Sequence, residues 1–209
     1  MEFYFTSDSH YNHKNIVRGV SGWDNKDRCR DFDTLEEHNQ VLVDNINKTV
    51  GENDILYHAG DWSFGGIQSI YEFRQQIKCK TIHFIIGNHD HHIKMNRVLK
   101  IEEGFMNTKN LFTTVDKLLD KTVNGQNMVM CHYPLRSWLN GSKGSWMLFG
   151  HTHGSLPEYS AVKGYPKKNA EIFKTMDVGI DTHKEFRPYH FDEIAEIMHN
   201  RSDLNVDHH

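Results

Sequence analysis

The chain has 209 residues and a formal net charge of -4, a length that fits one domain over residues 1–209 with at most an insertion. Hydrophobic residues make up 37% of it, enough for a sizeable core and too much for a disordered chain. The mildly acidic balance argues against a broad nucleic-acid-binding face, which is normally basic.

In chain order, Phe3-Tyr4-Phe5-Thr6-Ser7 is a short β-type run that ends in Asp8-Ser9-His10. Thr34 and Glu37 have the spacing of a capping box, with Thr34 as N-cap and Glu37 reaching back. Leu35, Leu42, Ile46 and Val50 continue at helical spacing. A second strand, Asp54 to Ala59, ends in Gly60-Asp61. Ile67, Ile70, Phe73 and Ile77 mark an amphipathic helix. A third strand, Thr81 to Ile86, runs into Gly87-Asn88-His89-Asp90. This alternation of strand and helix predicts βαβ units and a largely parallel sheet.

The second half reads differently. Asn124-Gly125 lies between two β-like runs, Val115 to Val123 and Met128 to His132, which is a hairpin signal. Trp146 to Phe149 is a further strand, ending in Gly150-His151-Thr152-His153. Thr175 to Ile180 is another, and a last helix capped by Asp192 carries Ile194, Ile197 and Met198. The expected architecture is one α/β domain with a mixed second sheet.

No apolar run is long enough to cross a bilayer, so no membrane association is expected. The first residues lack the basic and long apolar stretches of a secretory signal. Cys29, Cys79 and Cys131 have no paired spacing, which points to a reducing, cytoplasmic setting without disulfides.

The sequence holds 16 histidines, and position decides which of them matter. Asp8, His10, Asp61, Asn88, His89, His132, His151 and His153 all lie at or just past the C-terminal end of a predicted strand. Ligands of open α/β sheets bind in the crevice at those ends. Gly60, Gly87 and Gly150 precede the polar residues and allow tight turns. Carboxylate, amide oxygen and imidazole suit divalent ions such as Mn, Fe, Zn, Co or Ni. The cysteines lack zinc-finger spacing.

The series Asp8-x-His10, Gly60-Asp61, Gly87-Asn88-His89-Asp90, His132 and Gly150-His151-x-His153 resembles the motif set of the calcineurin-like metallophosphoesterase superfamily, in that family's order. The run from Asp8 to Lys14 is similar to its small bacterial and bacteriophage members. The resemblance implies a two-sheet β-sandwich flanked by helices. It implies two divalent metal ions, one held by Asp8, His10, Asp61 and His153, the other by Asp61, Asn88, His132 and His151. Asp61 would bridge them, a metal-bound water would attack phosphorus in line, and His89 would protonate the leaving oxygen. Gly60-Asp61 is followed by Trp62-Ser63-Phe64-Gly65 rather than the Asp-Arg-Gly pattern of the protein Ser/Thr phosphatases. The extra domains of double-strand-break nucleases are not expected either. The expected substrate is a small phosphodiester or a nucleotide. Phosphomonoester hydrolysis, nuclease action on nucleic acid and a non-catalytic metal-binding scaffold are the alternatives.

Other residues near these motifs read as follows. Arg30 can grip a substrate phosphate as a fork, and His13 is placed to meet substrate from its loop. His91 and His92 read as solvated loop residues. Trp62, beside Asp61, is a candidate ring-pocket wall, with Trp138 and Trp146 as core. Cys131 is expected to be a buried thiol pointing away from the site. Lys163, Tyr165, Lys167 and Lys168 form a basic loop, and His208 and His209 an unstructured end.

Overall fold

The structure, a computed structural model, describes residues 1–102, 104–156 and 173–203. The basic loop at Lys163 to Lys168 and the terminal His208 and His209 lie outside the described residues. The first half contains β1 (Phe3–Thr6), α1 (Leu35–Thr49), β2 (Ile55–His58), α2 (Ile67–Gln76), β3 (Thr81–Ile85) and the short α3 (His91–Lys94). Then come β4 (Val98–Ile101), β5 (Gly104–Asn107), β6 (Thr114–Asp116), β7 (Leu118–Val123) and β8 (Gln126–Cys131). The chain continues through β9 (Trp146–Phe149), β10 (Thr175–Asp177), β11 (Tyr189–His190) and α4 (Phe191–His199).

Two main sheets result. The first has the order β11-β1-β2-β3-β6, with β1, β2, β3 and β6 parallel and β11 antiparallel at the edge. The second has the order β10-β9-β8-β7, with β8, β9 and β10 parallel and β7 antiparallel to β8. Period-two alternation decides which residues face which layer. Leu56, Ile82 and Phe84 pack with Leu42 and Ile46 of α1 and Ile70 and Phe73 of α2. Phe5, Tyr57 and Ile85, from the opposite face, pack with Met128, Met130 and Leu148 of the second sheet and Ile194 and Met198 of α4. The far side of the second sheet carries Val129, Met147 and Phe149 against Trp138. The expected mixed α/β sandwich flanked by helices is therefore the observed fold.

Several local expectations need correction. The Thr34 Oγ1 accepts the Glu37 N–H at 3.1 Å, but the Glu37 carboxylate accepts from Asp33, one residue before the cap. The N-cap of α4 is His190, not Asp192: its Nδ1 accepts the Asp192 N–H, and its own N–H donates to Glu193. The run Val115 to Val123 is two strands in different sheets, β6 beside β3 and β7 beside β8. Asn124 and Gly125 do form the turn between β7 and β8, with φ of 48° and 79°, as a primed two-residue turn requires. The β4–β5 hairpin and the edge strand β11 had no strong sequence signal.

Leu148 is fully buried between the sheets, where truncation leaves a cavity. Leu148→Ala should lower unfolding stability by about 2–5 kcal/mol. Urea denaturation of the two proteins checks this, and a loss below about 1 kcal/mol would contradict the inter-sheet packing.

Candidate metal centre

The C-terminal ends of β1, β2, β3, β8 and β9 open onto one edge of the sandwich. Backbone hydrogen bonds stitch the loops that leave them: the Asp8 N–H donates to Gly60 O, His10 N–H to Asp61 O, and Gly150 N–H to His132 O. The turns are sharp enough that Asp8, His10, Asp61, His151 and His153 all adopt positive φ, between 47° and 69°. Such backbone costs free energy outside glycine and persists only where surrounding contacts hold it. Crowding explains the neighbouring glycines. A Cβ on Gly87 would come within 2.2 Å of Asp61 Oδ1, and one on Gly150 within 1.9 Å of Ser7 Oγ.

The side chains meet in a small volume. His10 Nε2 lies 3.7 Å from both Asp8 Oδ1 and Asp61 Oδ2, and 3.2 Å from His153 Nε2. His153 Nε2 is 3.8 Å from Asp8 Oδ1. On the other side of Asp61, His132 Nε2 is 3.5 Å from Oδ2. Asn88 Oδ1 sits 2.8 Å from His132 Nε2 and 2.9 Å from His151 Nδ1. The structure thus brings together all seven residues that the sequence nominates as ligands. His89 lies at the rim, with its side chain 44% exposed and its Nε2 4.0 Å from Asp61 Oδ2.

Hydrogen bonding tests whether the residues fit a cation. His132 Nδ1–H donates to Ala59 O at 2.8 Å, which leaves Nε2 unprotonated. That lone pair faces the Asn88 oxygen and the Asp61 carboxylate, so acceptors point at acceptors. His153 Nδ1 is likewise bonded to the Asp181 carboxylate, and its Nε2 faces His10 and Asp8. Asp8 Oδ1 is buried with no hydrogen-bond partner. Burial raises the Asp8 pKa to about 7 and pushes His10 well down. Converging lone pairs and an orphaned buried carboxylate oxygen are the environment a divalent ion requires. Two groups, Asp8-His10-His153 and Asp8-Asp61-His132, each bring ligand atoms within 4.8 Å of one another.

A second layer holds this set in place, as is usual behind metal ligands. Asp90 is almost fully buried and accepts the N–H groups of Asp61, Trp62 and Gly87, pinning two ligand loops together. Burial raises its pKa to about 7, with Asp61 adding to the effect against those three N–H donors. Asp181 orients His153 and is ion-paired to Arg30. Burial would raise its pKa, but the guanidinium and His153 hold it well below the usual carboxylate range. Asp177 accepts from Thr152, Gly154 and Gly179, fixing the loop between His151 and His153. Asp90 stood within a motif, but nothing local marked Asp177 or Asp181.

Arg30 does not present a fork to substrate. Its five N–H donors go to Asp181 (twice), Ser9 O, Asp8 O and His38 Nε2. It is a buried brace under the Asp8 loop. His13 stacks on Phe64 with ring centroids 3.7 Å apart, beside His10 and His89, and burial lowers its pKa to about 4. Trp62 is core and donates to Ile70 O, so it lines no ring pocket. Cys131 is half-buried rather than buried, packed against the outer cluster of the second sheet. His91 and His92 begin α3 rather than a loop.

Beneath the ligands, His58 accepts the Gly60 N–H at Nδ1 and donates from Nε2 to Ser9 Oγ. Burial holds His58 neutral, with a pKa near 3, and His38 near 4, the Arg30 charge adding to the second shift. Both take up a proton below about pH 6.5 only when the chain unfolds. Their stabilisation is therefore complete above that pH and is lost as pH falls. With chelator present, Asp8 and Asp90, whose pKa values are raised to about 7, oppose this loss, but His10 and His13, also lowered by burial, add to it, so urea midpoints should drop as the pH goes from 7.5 to 5. His58→Gln should flatten the slope by about 1.4 kcal/mol per pH unit below 6.5. An unchanged slope would contradict the burial account.

Comparison with known proteins agrees with this geometry. The family model of the calcineurin-like phosphoesterases matches residues 1–155. An uncharacterized protein of Methanocaldococcus jannaschii, MJ1445, is 26% identical over 200 residues, covering 94% of this chain and 91% of that one. The crystal structure of AQ665, a protein of unknown function from Aquifex aeolicus, superposes with a TM-score of 0.63 at 17% identity. It covers 94% of this chain and 98% of that one, and shows the shared fold. The chain belongs to the calcineurin-like phosphoesterase family, and the activity that goes with this membership and with its cluster of metal-ligating side chains is metal-dependent hydrolysis of a phosphoester.

Proposed function

We propose that the protein is a phosphodiesterase working with two divalent cations. Asp8, His10, Asp61 and His153 hold one, and Asp61, Asn88, His132 and His151 hold the other, with Asp61 shared. The observation that carries this reading is the approach of imidazole nitrogens to the Asp61 carboxylate from both sides. His132 Nε2 is 3.5 Å from Asp61 Oδ2 on one side, and His10 Nε2 is 3.7 Å from it on the other. Bound divalent ions supply Lewis acidity at the phosphoryl oxygens and an activated water. The donor set accepts Mn, Fe, Zn, Co or Ni.

The chain's own groups do the rest. The Asp61 Oδ1 accepts the His89 N–H at 2.9 Å, which fixes the His89 loop to the shared carboxylate. The exposed His89 ring, braced against Phe64, is placed to hand a proton to the leaving oxygen at the rim. A diester is favoured over a monoester by charge. A monoester dianion would gain from a further cation beside the metals, and Arg30, the guanidinium under the site, has no free N–H to offer one. A diester carries one negative charge less and leaves its second substituent to the open cleft beyond His151 and His153.

With Mn added, the protein should turn over bis-p-nitrophenyl phosphate with kcat/KM at least about tenfold above p-nitrophenyl phosphate. His89→Ala should cut kcat on the diester by about 10²–10⁴ while metal content stays constant. Preference for the monoester would overturn the diester assignment. Undiminished turnover in the variant would remove His89 from the chemistry. No turnover with any of the metals would leave a metal-binding scaffold.

A further inference from the structure

A cleft of about 720 Å³ opens beside His151 and His153, within the size range of small-molecule sites. The loop that carries Trp23, Asp27 and Arg28 also lines it. These three residues have no part in the metal centre or its second layer.

Trp23 differs from the other tryptophans. It is 44% exposed, whereas Trp62, Trp138 and Trp146 are buried at 0–5%. An edge contact to His13 holds it, with ring centroids 5.9 Å apart and planes at 82°. His13 is itself stacked on Phe64, so the indole is braced against the metal-site rim. Arg28 is exposed and has no hydrogen-bond or ion-pair partner among the described residues. The neighbouring cations are committed, Arg18 to Asp31 and Arg30 to Asp181. The Asp27 carboxylate is likewise unpaired among the described residues and lines the same cleft. It offsets the Arg28 charge, so a bare anion gains little here. A ligand with a flat ring, hydroxyl groups and a phosphate uses all three side chains.

We infer that this cleft is a nucleotide subsite, in which a base stacks on Trp23, sugar hydroxyls meet Asp27, and a phosphate remote from the reacting one pairs with Arg28. The inference rests on the phosphodiesterase reading for which end of the ligand lies at His151 and His153. It names the substrate class as an ester of a nucleotide, with the nucleoside side extending into the cleft.

The test is calorimetric titration of the Mn-loaded protein with adenosine 3′,5′-bisphosphate, AMP and ribose 5-phosphate, run beside the turnover assay. Wild type should bind the bisphosphate at least about fivefold more tightly than AMP, and AMP at least about fivefold more tightly than ribose 5-phosphate. Arg28→Ala should abolish the first ratio and spare the second. Trp23→Leu should abolish the second, and Trp23→Phe should largely restore it. The only exposed tryptophan among the described residues should also be quenched by AMP and not by ribose 5-phosphate. Equal affinities for the three probes, or ratios that survive both variants, would overturn the subsite even if diesters are hydrolysed. Ratios as expected without turnover would keep the subsite and sink the catalytic reading instead.

Discussion

Two carboxylates, a carboxamide oxygen and four imidazoles crowd one edge of a sandwich, with their nitrogens and oxygens turned inward at one another. Asp8 Oδ1 is buried and has no hydrogen-bond partner among the described residues, and His10 and His153 approach it no closer than 3.7 Å. Left so, burial forces the carboxyl toward its protonated form, as the Asp8 pKa of about 7 records. A bound cation reverses that balance, because its own charge is the largest in the site. The remaining features follow from the need to hold such a mutually repelling set together: positive-φ turns, loops stitched by backbone hydrogen bonds, and glycines where a Cβ would strike a carboxylate.

The parallel strands are what make that crowding attainable. β1, β2 and β3 of one sheet, and β8 and β9 of the other, all end at the same edge, so separate segments deliver side chains to one spot. The core between the sheets fixes the distance across which His132 and His151 face Asp61 and Asn88. Behind them, Arg30 ties the first loop to the Asp181 segment that orients His153. All five donors of this guanidinium face inward, to Asp181, Ser9, Asp8 and His38.

Much of this was legible in the sequence because it is local. A polar residue just past a strand, with glycine before it, announces itself through the strand period and the turn chemistry. The same holds for α1, α2 and the Asn124-Gly125 hairpin. What escaped depends on tertiary partners. Arg30 and Asp181 are 151 residues apart, and no pattern around either says that they meet. Trp62 stands next to a ligand, yet the turn at Asp61, with φ of 58°, sends the indole into the helix–sheet core. The run Val115 to Val123 has continuous β character, and only the packing reveals a change of sheet after Asp116. His190 as an N-cap was hidden because histidine is not among the usual capping residues, while Asp192 is.

The central claim is that the converging acceptors enclose a pair of cations around Asp61. The most direct measurement is metal stoichiometry by elemental mass spectrometry, on protein stripped with chelator, reloaded with Mn and freed of excess ion. The account predicts two ions per chain in the wild type and a loss of at least one in Asp61→Asn. Wild-type protein that retains no ion, or an Asp61→Asn variant that retains the full wild-type complement, would contradict it.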